Sequence, residues 1–306
     1  MNKKMKKAVS VTTALTFAMS LTSTAYAAEA ETEAKAEGYI PAPYTVEEGT
    51  DGPTEYLEPV FYENEDGPTI GVTMVGVINE DGKYFKDSNN DGVLDPYEDW
   101  RLDTETRVAD LVSKMTQEQR VGLLANQLAC SPGAEKAEEV YDENGKVILS
   151  QLVTLPSAEP EEGGEEEDIM AMMKKAISSS VVTDQETRSG VIRKDTDTEV
   201  GALFNNTLNM FTEFSSVSKG EINIPFMLIS NPMTKGFPSP QGMAAGAMGD
   251  GNYDTVQKYA ELDSEIWDAK GIHQMYGPQI DLITDPRWSR NSGTYTEVPE
   301  VMSRCV

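Results

Sequence analysis

Residues 221–230 have the sequence EINIPFMLIS, a short and almost wholly apolar run that predicts a buried strand. Pro225 lies in the first half of this run, near the strand's start, where a missing backbone N–H is tolerated. Apolar side chains at helical spacing flank the run at 197–218 and again at 252–270, and residues 273–283 predict a second buried strand. The order helix–strand–helix–strand with apolar strands predicts an α/β fold built from parallel βαβ units.

Two further elements precede this part of the chain. Residues 69–86 contain two extended runs separated by the turn sequence NEDG at 79–82, which predicts a hairpin. Residues 104–129 show helical periodicity, and Thr116 to Gln119 form a capping box that starts a second helix.

Residues 87–98 have the sequence DSNNDGVLDPYE, which fits the twelve-residue calcium loop of EF-hands. A strand rather than a helix is predicted before it, so an Asp/Asn/Gly-rich turn without metal is the alternative. A bound calcium ion would be structural, because a saturated loop leaves no reactive position. The predicted oxygen ligands are Asp87, Asn89, Asp91, the carbonyl of Val93, Asp95 and Glu98.

The chain carries 52 Asp and Glu against 25 Lys and Arg, a net charge of −27 over 306 residues. Such a charge repels phosphate backbones and anionic membrane surfaces, so neither nucleic acid nor membrane is an expected partner. The net charge does not exclude neutral substrates or cations as ligands. The run at 159–168 adds seven of these acids and is predicted to be a solvated loop.

The first 27 residues have the three regions of a secretory signal peptide: a lysine-rich start, an apolar stretch and the cleavage sequence Ala25-Tyr26-Ala27. We therefore expect an exported protein with no membrane contact after signal cleavage. Residues 28–68 predict a flexible acidic leader, and 69–103 the hairpin plus the calcium-like loop. Cys130 and Cys305 are too few for a disulfide framework and are interpreted as incidental.

Polar residues cluster after the two predicted strands, and ligands bind at the carboxyl ends of parallel strands. Asp285 and Arg290 are candidates for holding sugar hydroxyls, and Trp288 for packing on a sugar ring. The alternative is an ion pair of Asp285 with Arg287 inside a turn, with Trp288 in the core. His273 is expected to be a core histidine, because it lies in an apolar run.

Several motifs in order resemble the N-terminal domain of glycoside hydrolase family 3, the β-glucosidase-like enzymes, over about half of the chain. DPRW-x-R after a G-I-x3-Y-x-P-x-x-D run is the most specific of them. The matching segments are DSNNDGVLDPYEDWR, RVADLVSKMTQEQRVGLL, IPFMLISN, FPSPQGMAA, GIHQMYGPQIDL and DPRWSR followed by TYTE.

This resemblance implies a (β/α)8 barrel of the TIM type, incomplete here, over residues 104–306 with an acidic insertion at about 131–186. It implies exo-acting, retaining hydrolysis of β-linked glycosides or oligosaccharides without a required cofactor. That chemistry uses two carboxyl groups about 5–5.5 Å apart, and the resemblance implies that both lie beyond Val306.

The resemblance also assigns two substrate-binding positions. Arg290 matches the arginine that contacts sugar hydroxyls, and Asn231 stands where the family usually has a strand-end Asp. The change to Asn removes a charge and bears on substrate choice. The leading hypothesis is thus an exported glycosidase whose present chain is inactive alone. The alternative is a secreted, calcium-stabilised carbohydrate-binding or surface module without catalysis.

Overall fold

The computed structural model describes residues 35–47, 49–155, 175–230 and 237–306, which lie in one unit of the chain. The acidic run at 159–168 and the signal sequence lie outside these residues. The first part forms two small antiparallel sheets, with the strand orders β1-β4-β5 and β2-β3. Their strands are β1 (Tyr39–Ile40), β2 (Val60–Tyr62), β3 (Ile70–Val72), β4 (Gly76–Glu80) and β5 (Lys83–Asp87).

The predicted hairpin is confirmed between β4 and β5, which pair from Gly76↔Asp87 to Glu80↔Lys83. Asp81 and Gly82 both have positive φ, as the two central residues of a type I′ turn require. The extended run does not stay in one sheet, however. β3 pairs with β2 instead, so the chain changes sheets between Val72 and Gly76.

The predicted helix pair is also confirmed as α1 (Thr104–Lys114) and α2 (Gln117–Leu124). The capping box forms as expected: Thr116 Oγ1 accepts from the Gln119 N–H, and the Gln119 side chain accepts from the Thr116 N–H. Both helices therefore begin at residues whose side chains satisfy free backbone donors.

A four-stranded parallel sheet follows, with its strands in sequential order. This confirms the α/β class with parallel strands. The strands are β6 (Gln127–Cys130), β7 (Ser189–Ile192), β8 (Met227–Ser230) and β9 (Gln274–Met275). The helices around it are α3 (Ser180–Thr183), α4 (Thr198–Lys219), α5 (Pro240–Asp250), α6 (Asp254–Asp268) and α7 (Pro299–Cys305).

The prediction of a second buried strand over 273–283 is wrong. Only Gln274–Met275 is strand, and both side chains are exposed. Pro278 cannot donate a ladder hydrogen bond, which limits how far a strand can extend here. The apolar residues of this run therefore do not mark a core strand.

The core lies between the sheet and α4. Phe204, Leu208 and Phe211 are fully buried and pack in one cluster with Leu228 of β8 and Ile192 of β7. Burial of each such side chain contributes about 1.5–3 kcal/mol. The long helix predicted over 197–218 is thus confirmed, with its apolar face on the sheet.

A buried carboxylate ties the antiparallel strands to α4. Glu213 Oε2 accepts from the Thr73 N–H, the Thr73 hydroxyl and the Met74 N–H at 2.6–2.7 Å. Glu213 Oε1 lies 2.6 Å from Lys86 Nζ. Because four donors converge on one side chain, the position of β3 and β5 on α4 is fixed.

None of the described helices is both long and apolar enough to cross a membrane.

Candidate functional site

The carboxyl edge of the parallel sheet is organised by polar groups that follow its strands. Ser131, directly after β6, is buried, and its Oγ accepts from the backbone N–H groups of Arg193 and Lys194, which follow β7. The Arg193 guanidinium lies 5.8 Å from the ring centroid of Tyr276, which follows β9. These contacts join the loops after three strands into one surface.

The end of β8 contributes a buried hydroxyl to this edge. Ser230 is buried, and its Oγ has no hydrogen-bond partner among the described residues, while its carbonyl accepts from the Tyr276 N–H at 2.9 Å. The predicted sugar-binding residue Asn231 follows Ser230 directly, but it lies outside the described residues.

Asp285 forms the ion pair that the sequence allowed as an alternative. Arg287 Nε and Nη2 bind the Asp285 carboxylate at 2.6–3.2 Å, and the Arg287 N–H also donates to it. The hydrogen bonds from the Arg287 side chain lower the pKa of Asp285 below its ordinary value. Asp285 is therefore a stable anion, suited to accept hydrogen bonds and unsuited to donate a proton.

Trp288 lies beside Asp285 and is half-buried, so it is not a core residue. Both line an open cavity of about 690 Å³ together with Asp281, Leu282, Thr284 and Arg287. An indole next to carboxylate and hydroxyl groups offers an apolar face and hydrogen-bond acceptors to one ligand.

Arg290 is exposed on the turn that follows. Its carbonyl accepts from Gln279 Nε2 and the Gly293 N–H, which holds the backbone, whereas among the described residues nothing binds its guanidinium. Asn291 Nδ2 donates to the Asp285 carbonyl at 3.0 Å and so brings this turn next to Asp285. The fold thus places Asp285 and Arg290 on one short, internally bonded segment.

His273 differs from its prediction. Its side chain is 74% exposed, and Nδ1 lies 3.0 Å from Asp268 Oδ1 at the end of α6. The interpretation as a core histidine is wrong, because the run that contains it is not a buried strand.

The calcium-like loop has a defined backbone. Asp87, at its first position, is fully buried and accepts from the N–H groups of Asp91 and Gly92 at 3.1 and 2.9 Å. Glu98, at its twelfth position, accepts from the N–H groups of Ser88 and Asp95 at 2.6 and 3.0 Å. The two end carboxylates therefore close the loop on itself. Gly92 supplies the sharp turn with φ at 82°.

Burial disfavours the charged forms of the two end carboxylates of this loop. Burial raises the pKa of Asp87 to about 6 and that of Glu98 to about 8. Within the described ranges, no three or more His, Cys, Asp or Glu side chains converge as a metal-binding group. Asn89 Nδ2 instead donates to the carboxylates of Asp91 and Asp95, and Lys114 Nζ lies 2.5 Å from Asp95. The donor set consists of hard oxygens and fits calcium in its chemistry.

The sequence pattern does not single out Arg193, which follows a strand too short to stand out by periodicity. Tyr276 is the tyrosine of the G-I-x3-Y-x-P-x-x-D motif, but local pattern does not predict its contact with Arg193. Both cysteines are buried free thiols, and burial raises the pKa of Cys130. Neither thiol forms part of the edge described above.

Comparisons with known proteins find relatives that are named as β-glucosidases. No protein-family model matches the chain. Over 238 residues it is 29% identical to the "Periplasmic beta-glucosidase/beta-xylosidase" of Dickeya chrysanthemi, a match to 75% of this chain and 32% of that protein. It is 36% identical over 67 residues to "Beta-glucosidase C" of Emericella nidulans, covering 22% of this chain and 10% of that protein.

A third relative, "Probable beta-glucosidase C" of Aspergillus flavus, is 48% identical over 42 residues, 14% of this chain and 7% of that protein. The chain thus spans about a third of the length of its Dickeya relative. These relatives confirm the resemblance that the sequence motifs indicate, to the β-glucosidase-like proteins of glycoside hydrolase family 3.

Proposed function

We propose that this chain is the N-terminal part of an exported, retaining, exo-acting glycosidase for β-linked glucosides or xylosides. The observation that carries this proposal is the 29% identity to a β-glucosidase/β-xylosidase over 75% of the chain. That relative is named as periplasmic, which supports export.

The parallel sheet is proposed to be the first part of a (β/α)8 barrel. Its four strands are neighbours in chain order and all run in the same direction, as barrel strands do. In barrels of this kind the active site lies at the carboxyl ends of the strands. Arg290 and Asp285 lie on the segment that leaves the carboxyl end of β9.

Within this function, the described edge is proposed to bind the sugar rather than to break the bond. Arg290 offers an unengaged guanidinium to sugar hydroxyls, and Asp285 offers carboxylate oxygens held in place by Arg287. A carboxylate held by a guanidinium fork with a lowered pKa is a poor proton donor, and its oxygens are engaged by Arg287. Asp285 is therefore not the expected nucleophile or acid/base, and the family resemblance implies that both of these carboxyl groups lie beyond Val306.

An assay of the purified 306-residue chain tests this division. We expect no hydrolysis of 4-nitrophenyl β-glucoside or β-xyloside, and weak binding of glucose or xylose by calorimetry. Arg290→Ala should weaken this binding about tenfold, the loss of one charge-assisted contact. Arg120→Ala, an exposed arginine on α2, is the matched control. Turnover by the chain, or equal binding by Arg290→Ala, would refute the proposal.

The calcium-like loop supports a second candidate function, a secreted, calcium-stabilised carbohydrate-binding module without catalysis. Asp87 and Glu98 are buried carboxylates at the first and last positions of a loop with the spacing of an EF-hand. Asp87, Asn89, Asp91, the Val93 carbonyl, Asp95 and Glu98 would hold the ion, which would supply charge neutralisation and no reactive group.

Thermal unfolding with calcium and with a chelator tests the loop. Calcium at a hundred times its Kd should stabilise the chain by about 2.7 kcal/mol and raise Tm by roughly 5 °C. Glu98→Gln should abolish the shift, whereas Glu105→Gln, an exposed residue of α1, should keep it. The second candidate also requires that chelation abolishes sugar binding; retained binding would favour the glycosidase.

A further inference from the structure

A second cavity lies at the amino ends of β8 and β9, whereas Asp285 and Arg290 lie on the segment that leaves the carboxyl end of β9. It encloses about 810 Å³ between α4 and the β2–β3 hairpin. Pro225 and Phe226, which precede β8, and Gln274, the first residue of β9, form part of its wall. A cavity of this size is in the range that holds small-molecule ligands.

One wall of this cavity consists of carboxamides. Asn205, Asn206 and Asn209 occupy one side of α4, although asparagine is a weak helix former. Asn205 Nδ2 donates to the Gly271 carbonyl, and Asn209 Oδ1 accepts from the Phe226 N–H, both at 3.0 Å. These bonds fix the amides of Asn205 and Asn209 in place. The exposed Gln274 side chain adds another amide to the lining.

The charged groups of the lining neutralise each other. Lys86 and Glu213 line the cavity and form the buried pair described above, at 2.6 Å. His273 is the other titratable residue of the lining. In a chain with a net charge of −27 this cavity is locally neutral, which favours an uncharged ligand over an anion or a cation.

The opposite wall presents an aromatic ring. Phe61 of β2 is 56% exposed and stands opposite Gly71 in the hairpin register. A Cβ built on Gly71 would come within 2.8 Å of Phe61 Cε1, so the glycine leaves room for the ring to lie across the hairpin. The ring thus packs on Gly71 and lines the same cavity as the amides.

We propose that this cavity is a binding site for a neutral sugar, such as one or two rings of a β-linked oligosaccharide. Fixed amides hydrogen-bond hydroxyl groups, and an exposed aromatic ring packs on the apolar C–H face of a sugar ring. Only the β-linked form of the ligand rests on the proposed function; the sugar class follows from the lining. The site would hold substrate on the side of the sheet remote from Arg290.

Calorimetry with cellobiose tests the proposal in a chain that carries Arg290→Ala, so that binding next to Arg290 is weakened about tenfold. This chain should still bind cellobiose. Adding Phe61→Ala or Gln274→Ala should weaken the remaining binding about tenfold, equal to about 1.4 kcal/mol. Val60→Ala, the neighbouring and exposed residue of β2, is the matched control and should leave it unchanged. Far-UV circular dichroism verifies the fold of each variant.

The outcomes separate this site from the proposed function. If Arg290→Ala alone abolishes cellobiose binding, or if Phe61→Ala and Gln274→Ala bind as tightly as their parent, the second site is refuted. An equal loss with Val60→Ala refutes it as well, because the hairpin rather than the ring would then be responsible. If Arg290→Ala leaves cellobiose binding unchanged and Phe61→Ala weakens it, the proposed binding site around Arg290 is refuted and the cavity is supported.

Discussion

Two carboxylate–cation pairs lie in opposite settings. One joins the N-terminal layer (residues 35–47 and 49–103) to α4, and the other lies within the segment after β9 (276–298). Glu213 of α4, which anchors the layer, is 3% exposed and accepts from three donors besides Lys86. Asp285 is 44% exposed, and its partner Arg287 is 88% exposed.

This difference separates a structural pair from one that can serve a ligand. Breaking a buried pair leaves charges and backbone donors without water, which is costly. An exposed pair exchanges with water at little cost, so its carboxylate can bind a sugar hydroxyl without unfolding anything. The N-terminal layer is therefore expected to govern stability, and the segment after β9 to govern binding.

The largest effect on stability is expected from Glu213→Ala. The variant leaves Lys86 and the N–H groups of Thr73 and Met74 without their acceptor. We expect a loss of about 3–5 kcal/mol in the free energy of unfolding, measured by urea denaturation. Glu213→Gln should recover part of this loss, because its amide oxygen still accepts hydrogen bonds.

Arg287→Ala is the control on the other side of the comparison. Its pair is exposed, so the urea midpoint should stay within experimental scatter. If both variants are equally stable, Glu213 does not anchor the layer, and the contrast between the two regions fails.

Tyr56 of the N-terminal layer is expected to make the free energy of unfolding depend on pH in the alkaline range. Burial raises the pKa of Tyr56 from 10.0 to about 12. The folded chain keeps this phenol protonated where the unfolded chain ionises it, so its stabilising contribution is complete below pH 10 and is lost between pH 10 and 12. Tyr56→Phe should make the decline in unfolding free energy over this range shallower. An unchanged slope in urea titrations at pH 8 and pH 11 would contradict the prediction.

Short-range signals predicted much of this layer and its neighbours. Asp81-Gly82 and the Thr116 capping box act within four residues of chain, and both form as predicted. The strands β6 and β7 were missed. QLAC at 127–130 continues the apolar spacing of α2, and only the extended backbone of Ala125 ends the helix there. Pairing with distant residues then makes it a strand, which local pattern does not reveal.

The site was predictable only in part, for a related reason. The Asp285–Arg287 pair spans two residues and was anticipated as an alternative. The contact of Arg193 with Tyr276 joins residues far apart in sequence, and it exists only because β7 and β9 end at the same edge. The four donors on Glu213 likewise come from two segments that are distant from it in sequence, residues 73–74 and Lys86, so nothing local marks it as an anchor.

The smallest expected effect on stability, and the most specific one on binding, belongs to Asp285→Asn. The substitution removes the charge while keeping the shape, and the turn remains held by Asn291 on the Asp285 carbonyl. The urea midpoint should therefore not change. Binding of glucose should weaken several-fold, because a neutral amide is a weaker acceptor of hydroxyl hydrogen bonds than a carboxylate. Urea denaturation and calorimetry together test this prediction. If the urea midpoint falls and glucose binding is unchanged, Asp285 is a structural residue like Glu213, and the two regions do not differ in role.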